Sequence, residues 1–291
     1  MLTDDQVAQF KLFGFVTLRN ILTSEELEAL RTEFNHAATR NECQVGQFDG
    51  VQAQTFSMLG EDTPFYSSLL EDPRFYQPAV ELFGEDVLAL EINSYRYVSN
   101  TPWHFNDGAP NIHGYGPKYQ FPVFESVTAD TGALRFIPGS HKNPWQSELT
   151  GWWPLAKGSA RGDKGMEFLD KVPCFVAECR PGDAVLFDMR LLHATWGGKT
   201  DRRISCVTYY HYPETVEEME VMRTTAQSFY HNSDRWNKTQ WEEWFSNPHD
   251  SPLRQSWIDA WERLATTPQS ATGLRLVHDD HETATFEQVS T

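Results

Sequence analysis

From about residue 86 to 212 the chain breaks into short apolar or alternating runs: VLALEINSYRYV (87–98), YQFPVFESV (119–127), GALRFIP (132–138), PCFVAEC (173–179), AVLFDM (184–189) and ISCVTYYHY (204–212). Gly, Pro, Asn and Asp turns separate them. Several short strands without intervening helices point to an antiparallel sandwich or barrel. The flanks read differently. Thr3 with Gln6 has the form of a capping box ahead of Val7, Phe10 and Phe13, and Thr23 with Glu26 makes a second one ahead of Leu27, Leu30 and Phe34. Between them Phe15 to Leu18 reads as a strand, so the opening is helix, strand, helix. Residues 64–84 are helical in part, punctuated by Pro73 and Gly84, and helical periodicity returns after Pro213. The last fifteen or so residues read as a polar, frayed tail.

The expected fold is mainly β with flanking helices, arranged as one domain. Residues 1–85 form an N-terminal helical support, 86–212 the β core, and 213–291 a C-terminal helical region and tail. Residues 143–171 interrupt the core as a loop-like insertion whose Trp145, Trp152 and Trp153 suit a lid over a site.

Composition narrows the function. The 291 residues are 40% hydrophobic, enough to fill a core, which argues against disorder. No apolar run is long enough for a membrane span, and MLTDDQVAQF lacks the basic and apolar regions of a signal peptide, so a soluble, cytoplasmic protein is expected. The four cysteines form no CxxC pair and read as reduced, mostly buried thiols. The net charge of −17 is unevenly spread: −11 over residues 1–92, +2 over 93–212 and −8 over 213–291. A polyanion would be repelled on average, which excludes nucleic acid as the expected partner, while the slightly basic middle can take a small anion. The expected partner is a small-molecule substrate, bound by a monomer or homodimer.

Histidine carries the chemistry. The only strict His-x-Asp, His278-Asp279-Asp280, falls in the tail, which cannot preorganise a metal site. His104 ends a strand-like segment and opens a turn in TPWHFNDG (101–108), and His193, eighty-nine residues later, ends the strand-and-turn segment PGDAVLFDMRLLHA (181–194). Two imidazoles and one carboxylate on one side of an octahedral ion leave positions open for a cosubstrate and O₂, the arrangement of non-haem Fe(II) sites. A dicarboxylate chelating such an iron needs a cation at its far end, and a guanidinium supplies one in fixed geometry. Strand alternation puts Arg203 and Ser205 on one face and Arg202 on the other, so Arg203, with Ser205 beside it, is the expected cosubstrate ligand.

These segments resemble the phytanoyl-CoA dioxygenase-like (PhyH) group of Fe(II)/2-oxoglutarate oxygenases. The matching stretches are DDQVAQFKLFGFVTLRNILTSEELEALRTEF, RYVSNTPWH, TADTGALRFIPGSHK, RPGDAVLFDMRLLHATWGG and DRRISCVTYYHYP, in the family's order. The resemblance implies a double-stranded β-helix (jelly-roll) core, iron held by His-x-Asp and a distal His, and 2-oxoglutarate held by an arginine shortly after that His. The first ligand then maps to His104, the distal one to His193 and the arginine to Arg203. At the carboxylate the sequence departs from the pattern. An ungapped match places Asn106 there, whereas matching on the following glycine places Asp107 there with one residue inserted. Asp107 is favoured because a carboxylate is the better ligand for a hard divalent ion, and Gly108 offers the turn. The implied activity is hydroxylation of a small molecule with release of succinate and CO₂. Asn106 in the ligand position would instead match the related carboxylate-free halogenases, and a lost iron site would leave a non-catalytic jelly-roll binding module.

Overall fold

The structure is a computed structural model that describes residues 1–105, 115–152, 172–231, 243–278 and 284–289. Both capping boxes form. Thr3 Oγ1 accepts from the Gln6 amide, and the Gln6 side chain accepts from the Thr3 amide, at the start of helix α1 (Asp4–Phe13). Thr23 and Glu26 do the same for α2 (Ser24–Val45), so each box satisfies two backbone donors that a helix start leaves open. Between them β1 (Phe15–Leu18) begins after Gly14, whose φ of 86° closes α1 in the left-handed region. Pro64 and Pro73 sit in the first turns of α3 (Pro64–Ser68) and α4 (Pro73–Phe83), where a missing amide proton is tolerated.

The core is two antiparallel sheets. The larger has the order β1-β8-β5-β10-β3-β2, built from β1, β2 (Gln54–Ser57), β3 (Leu88–Tyr97), β5 (Pro117–Pro122), β8 (Ala184–Asp188) and β10 (Arg202–Tyr210). The smaller has the order β4-β9-β6-β7, built from β4 (Thr101–His104), β6 (Leu134–Phe136), β7 (Phe175–Ala177) and β9 (His193–Thr195). The N-terminal support thus contributes two strands to the larger sheet, β1, read as a strand from the sequence, and β2, which was not. Phe15 pairs with Phe187, and Gln54 pairs with Arg96.

Each face of the larger sheet is covered. The outer side chains Ile92, Tyr119, Phe121, Val207 and Tyr209 pack with α2, α3 and α4 and with α7 (Pro252–Thr266) in the main hydrophobic cluster. Tyr119 donates its hydroxyl to the Phe75 carbonyl at 2.6 Å, and Trp257 and Trp261 of α7 donate their indole N–H groups to the carbonyls of Val87 and Ala89. The inner side chains Phe15, Val185, Phe187, Ile204 and Cys206 meet Leu134 and Phe136 of the smaller sheet in a second cluster. Apolar residues on two opposed inner faces are what holds a sandwich of this kind together.

Two expectations change. The insertion begins with a helix, α5 (Trp145–Trp152), in place of a loop; Trp153 and the rest of it to residue 171 lie outside the described residues. The polar tail is not frayed throughout. Beyond α6 (Val216–His231) and α7, β11 (Leu274–His278) and β12 (Ala284–Gln288) pair antiparallel with Leu276 opposite Phe286, so backbone pairing orders part of the tail.

Candidate active site

His104 and His193 are brought together by register. β4 runs antiparallel to β9, with Thr101 opposite Thr195 and His104 opposite His193. Three steps on β4 match two on β9, so an irregularity around Pro102 and Trp103 returns His104 to the inner face that strict alternation would deny it. Trp103 goes to the other side, into a cluster with Ile137, Leu192 and Ala194. The two imidazole rings lie 4.1 Å apart between centroids, at 51°. Phe136 and Phe187 flank His193, with ring centroids 6.3 and 5.2 Å away.

Each imidazole is oriented by the backbone. His104 Nδ1 is 2.8 Å from the Pro102 carbonyl, and His193 Nδ1 is 2.8 Å from the Leu191 carbonyl. A carbonyl only accepts, so Nδ1 is the protonated nitrogen in both and the lone pair lies on Nε2. This is the hydrogen bond that metal-bound histidines make with the nitrogen that does not bind the metal. Burial, with the neighbouring His104, holds His193 well below its ordinary pKa, in the neutral form a metal requires.

Asn106 and Asp107, the two candidates for the carboxylate position, lie outside the described residues. Among the described residues, no third carboxylate, histidine or cysteine joins the pair to make a metal-binding group.

The arginine expectation meets a different geometry. Arg203 and Ser205 do share a face, but it is the outer one, away from the histidines. Arg203 lies over the Phe124 ring at 3.7 Å and ion-pairs with Glu125. Ser205 shares hydrogen bonds, 2.8 Å each, with the hydroxyls of Tyr66 and Ser94 beneath the helices. The side chain on the histidine side is Arg202, only 5% exposed. Its Nη2 donates to Thr195 Oγ1 at 3.1 Å, and Thr195 stands two residues after His193 on the same face of β9. Its Cζ is 4.9 Å from the Tyr97 ring centroid. Gly132 and Gly198 close in on the guanidinium: a Cβ at either would come within 1.9 Å of Nη1.

Arg202 Nε and Nη1 are buried without a hydrogen-bond partner among the described residues. Desolvation pulls its pKa down from the ordinary arginine value, partly opposed by Tyr97. A buried cation with two unmet donors is a receptor for an anion. Sequence reasoning passed over both Arg202 and Thr195. The available signal was the two-residue spacing of Thr195 from His193; Ile204 and Cys206 on the Arg202 face are matched by Val207 and Tyr209 on the other.

Trp145, 47% exposed, lies with Ile137 and Leu149 along an apolar cleft, and those two residues belong to the cluster behind the histidine sheet.

Comparisons with known proteins give the family and the fold. Residues 10–205 match the family model for phytanoyl-CoA dioxygenase (PhyH), and the chain belongs to that family. It is 24% identical over 157 residues to the ectoine dioxygenase of Bordetella bronchiseptica, a match covering 48% of this chain and 50% of that protein. The chain thus spans half the length of the ectoine dioxygenases it matches. Among solved structures it resembles HygX from Streptomyces hygroscopicus with nickel and 2-oxoglutarate bound, at 17% identity, TM-score 0.56, covering 72% of this chain and 87% of that one. It also resembles SnoK, a non-haem α-ketoglutarate-dependent carbocyclase from nogalamycin biosynthesis, at 17% identity, TM-score 0.54, covering 72% and 84%. At these identities the likeness is one of fold: the antiparallel sandwich expected from the strand pattern, in the jelly-roll form that the family resemblance implied. Among the described residues no helix is long and apolar enough to cross a membrane.

Proposed function

We propose that the chain is an Fe(II)- and 2-oxoglutarate-dependent dioxygenase that hydroxylates an unactivated C–H bond of a small molecule and releases succinate and CO₂. The observation that carries this reading is the imidazole pair, 4.1 Å apart, each with Nδ1 tied to a backbone carbonyl and Nε2 left as the ligating nitrogen. The donor set fits iron: His104 and His193 would supply two imidazole nitrogens, and in this reading Asp107 would supply a carboxylate. It also fits the cosubstrate, since Arg202 offers two unmet buried donors, and Gly132 and Gly198 leave room for the guanidinium itself. In this reading Arg202, not Arg203, takes the distal carboxylate of 2-oxoglutarate, and Thr195 orients the guanidinium. HygX, with nickel and 2-oxoglutarate bound, supports the cofactor assignment by likeness of fold.

Bound iron, 2-oxoglutarate and O₂ supply the oxidation. The protein supplies position and exclusion of water. The Pro102 and Leu191 carbonyls hold the two rings at fixed angles, so the metal does not have to organise its own ligands. Phe136 and Phe187 present an apolar wall to His193 that keeps water from its flank. Arg202 neutralises the far end of a dianion in a setting where the charge would otherwise be costly.

Anaerobic addition of Fe(II) and then 2-oxoglutarate is expected to produce the visible charge-transfer band of the chelate, and air is expected to yield succinate. His193→Ala is expected to lose stoichiometric iron and the band together. Normal iron content and turnover in that variant would overturn the metal assignment. Asp107→Ala is expected to weaken iron binding and Asn106→Ala to leave it intact; the reverse would move the third ligand to Asn106.

A further inference from the structure

The inner face of the larger sheet carries a polar row that neither iron nor 2-oxoglutarate uses in this reading. Beyond Arg202 the inward positions of β10 include Cys206 and Thr208. Register sets Asn93 of β3 beside Cys206, and sets Glu91 of β3 and Lys118 of β5 on either side of Thr208. Asn93 is 3% and Thr208 2% exposed, yet Asn93 Oδ1 and Thr208 Oγ1 have no hydrogen-bond partner among the described residues. Buried polar atoms are nearly always paired, so two unpaired oxygens on neighbouring rungs of one inner face call for a ligand that pairs them.

The row stands at the histidine end of the sheet. Lys118 is opposite Phe187, whose ring centroid is 5.2 Å from that of His193. Strand rise puts the Cys206 rung, with Asn93, about 13 Å and the Thr208 backbone about 20 Å along β10 from that of Arg202, so Thr208 is beyond the reach of a five-carbon diacid anchored at the guanidinium and Asn93 lies between the two. Directly after Thr208 the pairing slips, from Thr208 opposite Glu91 to Tyr209 opposite Ala89. Such bulges recur beside active sites, where they re-aim a side chain.

We propose that Asn93 and Thr208 form the substrate-binding row, and that the substrate is a polar small molecule that donates hydrogen bonds through hydroxyl or amine groups, not an alkyl chain. This rests on the oxygenase reading of the histidine pair. Asn93 Oδ1 only accepts, so the ligand donates there; Thr208 Oγ1 accepts or donates; Glu91 and Lys118 bring one charge of each sign alongside. An alkyl substrate would bury both oxygens unpaired, the arrangement that hydrogen-bonding sites reject most strongly.

The test uses Thr208→Val and Asn93→Leu, which keep size and remove polarity. Succinate formation by the iron-loaded protein is measured with amino acids, with cyclic polyols and with octanoate as probes. At least one polar probe is expected to stimulate the wild type and octanoate is not, and each variant is expected to lose that stimulation by about tenfold, the effect of one lost hydrogen bond to a buried group. Without iron, cosubstrate or probe, both variants are expected to melt at or above the wild-type temperature, because each removes an unpaired buried atom. Stimulation by octanoate, or by none of the polar probes, overturns the substrate class. Variants that melt below the wild type overturn the row itself, since their polar atoms then serve the fold. The two readings fail separately: a wild type without the 2-oxoglutarate band fails as an oxygenase, whereas an intact band with unaffected variants fails only the row.

Discussion

Strand β10 carries two adjacent arginines in opposite settings. Arg203 lies on the outer face, stacked on Phe124 and paired with an exposed Glu125, so its charge is met by the protein. Arg202 lies on the inner face, nearly buried, with one hydroxyl partner and two unmet donors. The same contrast runs along the whole strand. Ser205, outward, is saturated by Tyr66 and Ser94, whereas Thr208, inward, has an unpaired oxygen. Ser205, outward, closes hydrogen bonds that hold a helix, although Arg203 Nε on that face is also unpaired; inward, Arg202 and Thr208 keep bonds open. A fold gives up stability by leaving buried donors open, and it tolerates this where function uses them.

The largest effect should separate the arginines. Losing a charged, buried partner for a carboxylate costs about 2–5 kcal/mol, so Arg202→Ala should raise the KM for 2-oxoglutarate by roughly 30-fold to several thousand-fold. Arg203→Ala removes a surface ion pair worth at most about 1 kcal/mol and should leave that KM within a few-fold. Succinate formation against cosubstrate concentration decides it, and equal effects in the two variants would erase the distinction between the faces. Arg202→Lys should recover only part of the loss, because an ammonium cannot offer two parallel donors.

How much of this could be read in the sequence depended on whether the signal was local. The capping boxes at Thr3 and Thr23 concern four residues each and formed as expected. The strands of the β core and the histidines at the ends of two of them were legible from alternation and turn residues. That Arg203 and Ser205 share a face was also legible, but not which face it is. β10 is buried on both sides, apolar at Ile204 and Cys206 inward and at Val207 and Tyr209 outward, so alternation distinguishes two faces without labelling them. His104 shows a second limit: only the irregular pairing with β9 turns it inward. The recruitment of β1 and β2 into the larger sheet, and the pairing of β11 with β12, depend on partners that local periodicity does not identify.

A smaller effect probes the inner face without touching a ligand group. A Cβ at Gly198 would meet Arg202 Nη1 at 1.9 Å, and the atom it displaces is the end of a flexible side chain, not backbone. Gly198→Ala should therefore push the guanidinium aside with little loss of stability. Displacing one charge-assisted hydrogen bond at about 1.5 kcal/mol predicts a rise of roughly tenfold in the KM for 2-oxoglutarate. Gly132 is the poorer test because its φ of 87° would strain any side chain whatever the space.

The smallest catalytic effect belongs to the outer face, where the consequence should appear in stability. Ser205 is fully buried, and its Oγ bridges the hydroxyls of Tyr66 on α3 and Ser94 on β3. Ser205→Ala leaves both buried without their shared partner, a loss of about 1–3 kcal/mol. Denaturant unfolding should show a lower midpoint with an unchanged slope, since the surface exposed on unfolding is the same. The KM for 2-oxoglutarate should stay at the wild-type value, because no part of this network reaches Arg202 or the histidines. A variant of normal stability with a raised KM would place Ser205 back among the cosubstrate ligands and reverse the assignment of the two faces.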